Sequence, residues 1–252
     1  MMMQHLKFIL INFLSLFLIA GLSSLHAQIE HSSFTKILQQ NVTESGFVNY
    51  KQLKKDEKKL DRYLDVLSDN TPKSNWTKNE KMAYLINTYN AYTLKLILDN
   101  YPVESIKDIG GLFSSPFTTD FIPFTTDFIP FNGERISLDD VEKGMLLEMN
   151  DPRVHFAINC ASESCPKLQN EAFEAKHLDK QLDETTKEFI LSKENKITKN
   201  QLQLSKIFKW YASDFENAAG SIIEFINPYI SVHISDNASI SFKDYSWKLN
   251  GK

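Results

Sequence analysis

The chain is poor in cysteine, in surplus basic charge and, beyond its first two dozen residues, in long apolar runs. Each shortage removes a class of function. The 28 basic residues are outnumbered by 32 acidic ones, for a formal net charge of -4, so there is no basic stripe with which to neutralise a nucleic-acid backbone. The one lysine-dense stretch, residues 51–59, is interleaved with acids and reads as a solvated helix face. No apolar run past the N-terminus suggests a membrane span. The only two cysteines, Cys160 and Cys165, form neither the Cys-x-x-Cys pair of redox motifs nor, with His155, the close pairs that make a zinc spacing convincing. No metal and no cofactor is required by the pattern.

What is present begins with a leader-like segment. Lys7 precedes an apolar stretch over residues 8–22, and Ala27 offers a small residue for cleavage before Gln28. The stretch falls short of the ~20 residues of a spanning helix. It predicts a cleaved export signal over residues 1–27, a periplasmic or extracellular protein, and no stable membrane insertion after signal cleavage. Residues 28–252 are long enough for one domain with a core of its own.

Along that domain the periodicity predicts a surface helix from Lys54 to Leu67 and a longer helix from about Thr77 to Asn100. Thr77 and Glu80 fit a capping box at its start. Its apolar stripe includes Asn87 and Asn90, and buried amides must be hydrogen-bonded, either tying down a loop or lining a pocket. A perfect tandem duplication follows, Pro116–Ile122 and then Pro123–Ile129. It reads as an insertion in a loop, since lengthening a surface loop costs little closure entropy. Asn132-Gly133 signals a turn, Ser137 and Asp140 a second capping box, Val154 to Ile158 a buried strand, Asn170 to Leu191 a helix, and Ile197 to Leu204 a hairpin. Helical pieces broken at Gly220 and Pro228 and a last strand over residues 239–242 complete the pattern. Helices with short strands and no regular βαβ rhythm predict an α+β fold, a mostly helical single domain with a small β-sheet.

The stretch from His155 to Pro166 concentrates the chemistry. In an oxidising compartment, Cys160 and Cys165 could close a small-loop disulfide contributing about 2 kcal/mol. As a free thiol, Cys160 is a candidate nucleophile, with His155 as base and Asn87, Asn90 or Glu80 as the group orienting the histidine. If residues 155–160 are extended, however, five steps of ~3.3 Å put the two side chains about 16 Å apart on opposite faces. The dyad then requires the chain to double back after Asn159, or another base, such as His233. Cys165 ahead of Pro166 is a second candidate, at a helix N-cap.

The ordered segments Asn87-Thr-Tyr-Asn-Ala-Tyr92, Ser105-Ile-Lys-Asp-Ile-Gly110, Ile136-Ser-Leu-Asp-Asp-Val-Glu142, Asp151-Pro-Arg-Val-His-Phe-Ala157, Cys160-Ala-Ser-Glu-Ser-Cys-Pro166, Phe208-Lys-Trp-Tyr211 and Asp244 to Asn250 resemble the domain-of-unknown-function family DUF547 over most of residues 28–252. The resemblance implies that His155 and Cys160 are signature positions and that Cys165 is less constant. It implies no settled activity. Two functions remain open: a cysteine-dependent hydrolase or transferase acting on a small molecule or peptide, and a non-catalytic ligand- or partner-binding module with a structural Cys160–Cys165 disulfide.

Overall fold

The computed structural model describes residues 29–109 and 122–252. The expected export signal, and most of the first duplicated heptad, lie outside the described residues. Four helices come first, α1 (Ser32–Asn41), α2 (Tyr50–Lys55), α3 (Glu57–Asp69) and α4 (Lys78–Asn100). The capping box starts α4 as its sequence predicts: the Glu80 N–H donates to Thr77 Oγ1 at 3.2 Å, and the Thr77 N–H donates to Glu80 Oε2 at 2.6 Å. Where periodicity predicts one apolar stripe, every residue from Met82 to Leu94 is buried. A helix covered on all sides is a central one, and the other elements pack around it. Lys95 on α4 meets Glu57 at 2.8 Å and Asp61 at 3.3 Å, fixing α3 alongside.

Next come α5 (Ile122–Thr125), the antiparallel hairpin of β1 (Ile129–Phe131) with β2 (Glu134–Ile136), and α6 (Leu138–Val141). At the hairpin tip Asn132 and Gly133 have φ of 51° and 84°, the left-handed pair that a two-residue type I′ turn needs. The second duplicated heptad supplies most of α5 and the first residue of β1. Phe124 and Ile129 are buried, and Phe128 packs edge-on against Tyr92 of α4. Its aromatic residues are thereby part of the packed body.

Val154 to Ile158 is not the predicted strand. A short apolar run is compatible with either a strand or a buried helical turn. Here Pro152 sets the backbone, and Asp151 accepts the Arg153 N–H at 3.1 Å, so the chain starts a 3₁₀ turn over Pro152–Phe156. A long loop leads to α7 (Leu178–Ile190), which begins later than the predicted Asn170. A three-stranded sheet of β3 (Lys196–Ile197), β4 (Gln201–Leu204) and β5 (Ser239–Phe242) follows, β4 antiparallel to β3 and parallel to β5. Between β4 and β5 lie α8 (Ile207–Trp210), α9 (Ala212–Ala219) and α10 (Ile222–Ile226). The architecture is the expected mostly helical α+β domain.

Two apolar clusters form the interior. One gathers α1 to α4, the hairpin, α6 and the start of α7; the other gathers the end of α7, β4 and α8 to α10. The 3₁₀ turn straddles them, with Val154 in the first and Phe156 in the second. The C-terminal segment laces the body together through bridges from Gly251 to Val48, Lys248 to Ser105 and Leu249 to Ser162. A Cβ at Gly251 would stand 2.0 Å from the Val48 carbonyl oxygen, so only glycine allows that approach.

His31, buried at the start of α1, bonds through Nδ1 to the Tyr63 hydroxyl at 2.6 Å, and burial pushes its pKa down to about 4. A base with a lower pKa folded than unfolded makes the unfolded chain bind more protons, so its contribution to stability is lost as pH falls below about 6.5. Urea unfolding from pH 7 to pH 4.5 is therefore expected to show falling stability, with a slope approaching ~1.4 kcal/mol per pH unit per such histidine. His31→Gln should remove the His31 share of that slope and leave the part due to the buried His155.

Candidate active site

The loop carrying the cysteines is held by two buried amides. Asn90 of α4 donates through Nδ2 to the Ala157 carbonyl at 3.0 Å and accepts the Asn159 N–H on Oδ1 at 2.8 Å, gripping the backbone just ahead of Cys160. Asn159 donates to the Pro166 carbonyl at 2.7 Å and accepts the Ala161 N–H at 2.9 Å, drawing the two ends of the loop together. Ala161 has φ 58°, a left-handed conformation that costs a non-glycine residue about 1 kcal/mol. Its carbonyl is held by the Asn250 N–H at 3.0 Å. The chain therefore does turn back immediately after Asn159 and Cys160.

That turn brings the two sulfurs to 2.9 Å, and both thiols are free. A disulfide bond is about 2.05 Å long, so the expected structural disulfide is replaced by a hydrogen-bonded thiol pair. Cys160 Sγ also lies 3.0 Å from Ser162 Oγ and 3.2 Å from the Tyr245 hydroxyl. Burial pushes the Cys160 thiol up, but hydrogen bonds from Cys165, Ser162 and Tyr245 outweigh it and bring it down to about 7. Burial and the bond to its anionic neighbour push Cys165 the other way. No helix begins at Pro166, so Cys165 is not at the predicted N-cap.

Cys160 and Cys165 open on a cavity of about 510 Å³, lined also by His155, Glu142, Tyr211 and Trp210, a size suited to a small-molecule group. His155 Nε2 lies 2.8 Å from Asp214 Oδ2 of α9, and its ring stacks on Tyr211 with centroids 3.8 Å apart. Its Nδ1 is buried without a hydrogen-bond partner among the described residues. Burial lowers its pKa against the opposing pull of Asp214, so the ring is neutral near pH 7, with Nε2–H donated to Asp214 and Nδ1 carrying the lone pair. Across the same cavity the buried Glu142 carboxyl is pushed up by desolvation, and the Tyr211 hydroxyl bonds to its Oε1 at 2.5 Å. Glu142 sits in a π-type turn that continues α6. Trp210, Tyr245 and Trp247 form a contiguous aromatic wall, with Tyr245 centroids 4.8 Å from each tryptophan.

The candidate residues thus separate by position. His155 and Cys160 share the cavity, although among the described residues no hydrogen bond joins His155 to either sulfur. Asn87 exchanges bonds with the backbone of Phe173, at 2.8 Å to its carbonyl and 2.9 Å from its N–H, and like Asn90 it ties down a loop. Glu80 caps α4, away from the cavity, and His233 is exposed. The histidine's carboxylate partner is Asp214, which the sequence left unmarked because a lone acid on a short helix has no pattern of its own. Ser162, Glu142 and Tyr245 stood out in the sequence only as members of the segments shared with the family. Among the described residues no three His, Cys, Asp or Glu side chains cluster as metal ligands, and no helix is long and apolar enough to cross a membrane.

Alkylation of the reduced protein by iodoacetamide is expected to label Cys160 with a half-maximal rate near pH 7, well below an ordinary thiol. Asn90→Ala leaves the Ala157 carbonyl and Asn159 N–H unpaired. It should cost about 2–6 kcal/mol in urea unfolding, at ~1–3 kcal/mol for each of the two buried orphan groups, and move the alkylation midpoint upward as the loop loosens.

The chain matches none of the curated proteins and none of the solved structures. Residues 73–190, which carry α4, the 3₁₀ turn with His155, and both cysteines, match the family model described as Protein of unknown function, DUF547, and it is to this family that the domain is similar.

Proposed function

We propose that this protein is an exported, cysteine-dependent acyl hydrolase or transferase, with Cys160 as nucleophile, His155 as general base and Asp214 as the residue that orients it. The observation that carries the reading is the Cys160 sulfur lying 2.9, 3.0 and 3.2 Å from Cys165, Ser162 and Tyr245, in a cavity that a carboxylate-paired histidine also lines. The placement outside the cytoplasm rests on the leader-like N-terminal sequence alone.

The hydrogen-bond donors make a separate base for Cys160 unnecessary, since much of the thiol is already thiolate near neutral pH. Thiolate sulfur attacks an acyl carbon, the bond to the leaving group breaks, the leaving group takes any proton it needs from solvent in the cavity, and a thioester forms on Cys160. His155 Nδ1 then takes a proton from water or from an acceptor hydroxyl or amine as that atom attacks the thioester, and Asp214 stabilises the imidazolium. Thiolate leaves and the donors around Cys160 receive it again. A substrate of small-molecule or peptide-fragment size suits the cavity, with an apolar or planar portion against Trp210, Tyr245 and Trp247.

Incubating the full chain with p-nitrophenyl acetate or an acetyl thioester is expected to release the leaving group and leave an acetyl mass on Cys160. Cys160→Ala should abolish both. His155→Gln should slow turnover by about 10²–10⁴-fold, the usual contribution of a general base, and let the acyl-protein accumulate. If neither acyl donor modifies Cys160 while the cavity binds small aromatic ligands reversibly, the protein is the binding module that its half-exposed Trp210 and aromatic wall would also suit.

A further inference from the structure

We infer that Cys160 and Cys165 form a reversible two-electron redox site, oxidised by a hydroperoxide and restored by a low-molecular-weight thiol. The inference rests on the thiol pair itself and holds whether or not Cys160 also transfers acyl groups.

Four residues separate the cysteines in sequence, twice the interval of the familiar redox motif, but the fold cancels that difference. The left-handed Ala161 reverses the chain, Asn159 ties Ala161 to Pro166, and the sulfurs meet at 2.9 Å. A disulfide needs only a further approach to about 2.05 Å, within the reach of small side-chain rotations. The two thiols are also unlike. Cys160 lies within hydrogen-bond reach of Ser162 and Tyr245, whereas burial and the neighbouring Cys160 hold Cys165 toward thiol even though its sulfur accepts the Cys160 N–H at 3.0 Å. An attacking sulfur and a protonated resolving sulfur in contact are the two parts such a cycle requires.

The chemistry balances with named reactants. Cys160 thiolate attacks the terminal oxygen of the hydroperoxide, the O–O bond breaks, and Cys160 becomes a sulfenic acid. The departing alkoxide or hydroxide takes a proton from solvent, which reaches the site through the open cavity. Cys165 sulfur then attacks the sulfenic sulfur, the S–O bond breaks, and water leaves carrying the Cys165 proton. Two thiols and one hydroperoxide have given one disulfide, one alcohol or water, and one water. Two molecules of external thiol reduce the disulfide and leave as their own disulfide. The two stages have separate approaches. Cys160 lines the main cavity, while Cys165 lines both that cavity and a second cleft of about 350 Å³ with Lys167, Glu163 and Glu188, which offers a reductant a separate approach.

The test is oxidation of the reduced, desalted full chain at pH 7 with a slight molar excess of hydrogen peroxide. Titratable thiols are expected to fall from two per chain to none, the intact mass to fall by two hydrogens, and peptide mapping to join Cys160 to Cys165. Dithiothreitol should restore both thiols. Cys165→Ser should stop the reaction at a sulfenic acid on Cys160 that dimedone traps, and Cys160→Ser should lose the rapid consumption of peroxide. Should either variant fail to fold, the wild-type map still decides. Retention of both thiols in about tenfold excess peroxide, direct passage of Cys160 to sulfinic acid, or crosslinking only between chains would each overturn the inference. Acyl transfer by the reduced protein is measured separately, so loss of one activity leaves the other standing.

Discussion

The arrangement depends first on the grip of Asn90 on the backbone at Ala157 and Asn159. A buried amide side chain is tolerated only where it satisfies its own groups, and it does so here by satisfying two backbone groups of another segment. Because α4 is buried on every side from Met82 to Leu94, Asn90 is enclosed by packed neighbours, and its two bonds tie the loop to that packed helix. Asn159 then repeats the device one step further along, bonding Ala161 and Pro166. Two amides in series thus convert the order of a central helix into the position of one sulfur atom. The seam between the two apolar clusters supplies the space beside it: Phe156 and Val154 anchor the 3₁₀ turn in opposite clusters, leaving His155 between them at the edge of the cavity.

Charge is divided around that cavity by environment rather than by residue type. Two cysteines in contact are driven apart in acidity because hydrogen bonds from Cys165, Ser162 and Tyr245 outweigh burial at Cys160, whereas burial and the neighbouring Cys160 dominate at Cys165. A histidine paired with Asp214 remains neutral because burial outweighs the pair. A glutamate is pushed toward its protonated form although Tyr211 donates to it. Groups with separated proton affinities in one water-accessible space are what acid-base and nucleophilic chemistry require. The C-terminal segment brings Tyr245 and Trp247 to this space. The matched family segment ends at Ile190, so Asp214, Tyr211 and Tyr245 are contributed from beyond it.

Much of the helical framework was legible in the chain. The capping boxes at Thr77 and Ser137 are local hydrogen-bond patterns, complete within four residues, and they appear where the sequence places them. The Asn132-Gly133 hairpin and the β3–β4 pair are equally local. The sequence also marked Asn87 and Asn90 as amides in need of partners, although their partners lie 67 to 86 residues away. The region after Asp151 was misread because an apolar run of five does not distinguish a strand from a buried turn. That single error set the His155 and Cys160 side chains on opposite faces of a strand that does not exist.

By itself the sequence determined the class of fold, the position of the long capped helix, and the segment in which nucleophilic side chains are concentrated, because each follows from contacts within a few residues. Tertiary structure alone decided that Cys160 and Cys165 touch as unequal thiols, that Tyr245 and Ser162 provide the donors, and that Asp214 rather than a neighbouring amide or Glu80 pairs with His155. Those outcomes depend on distances between segments far apart in the chain. No periodicity or local motif records how the C-terminal segment, α9 and the cysteine loop converge on one cavity.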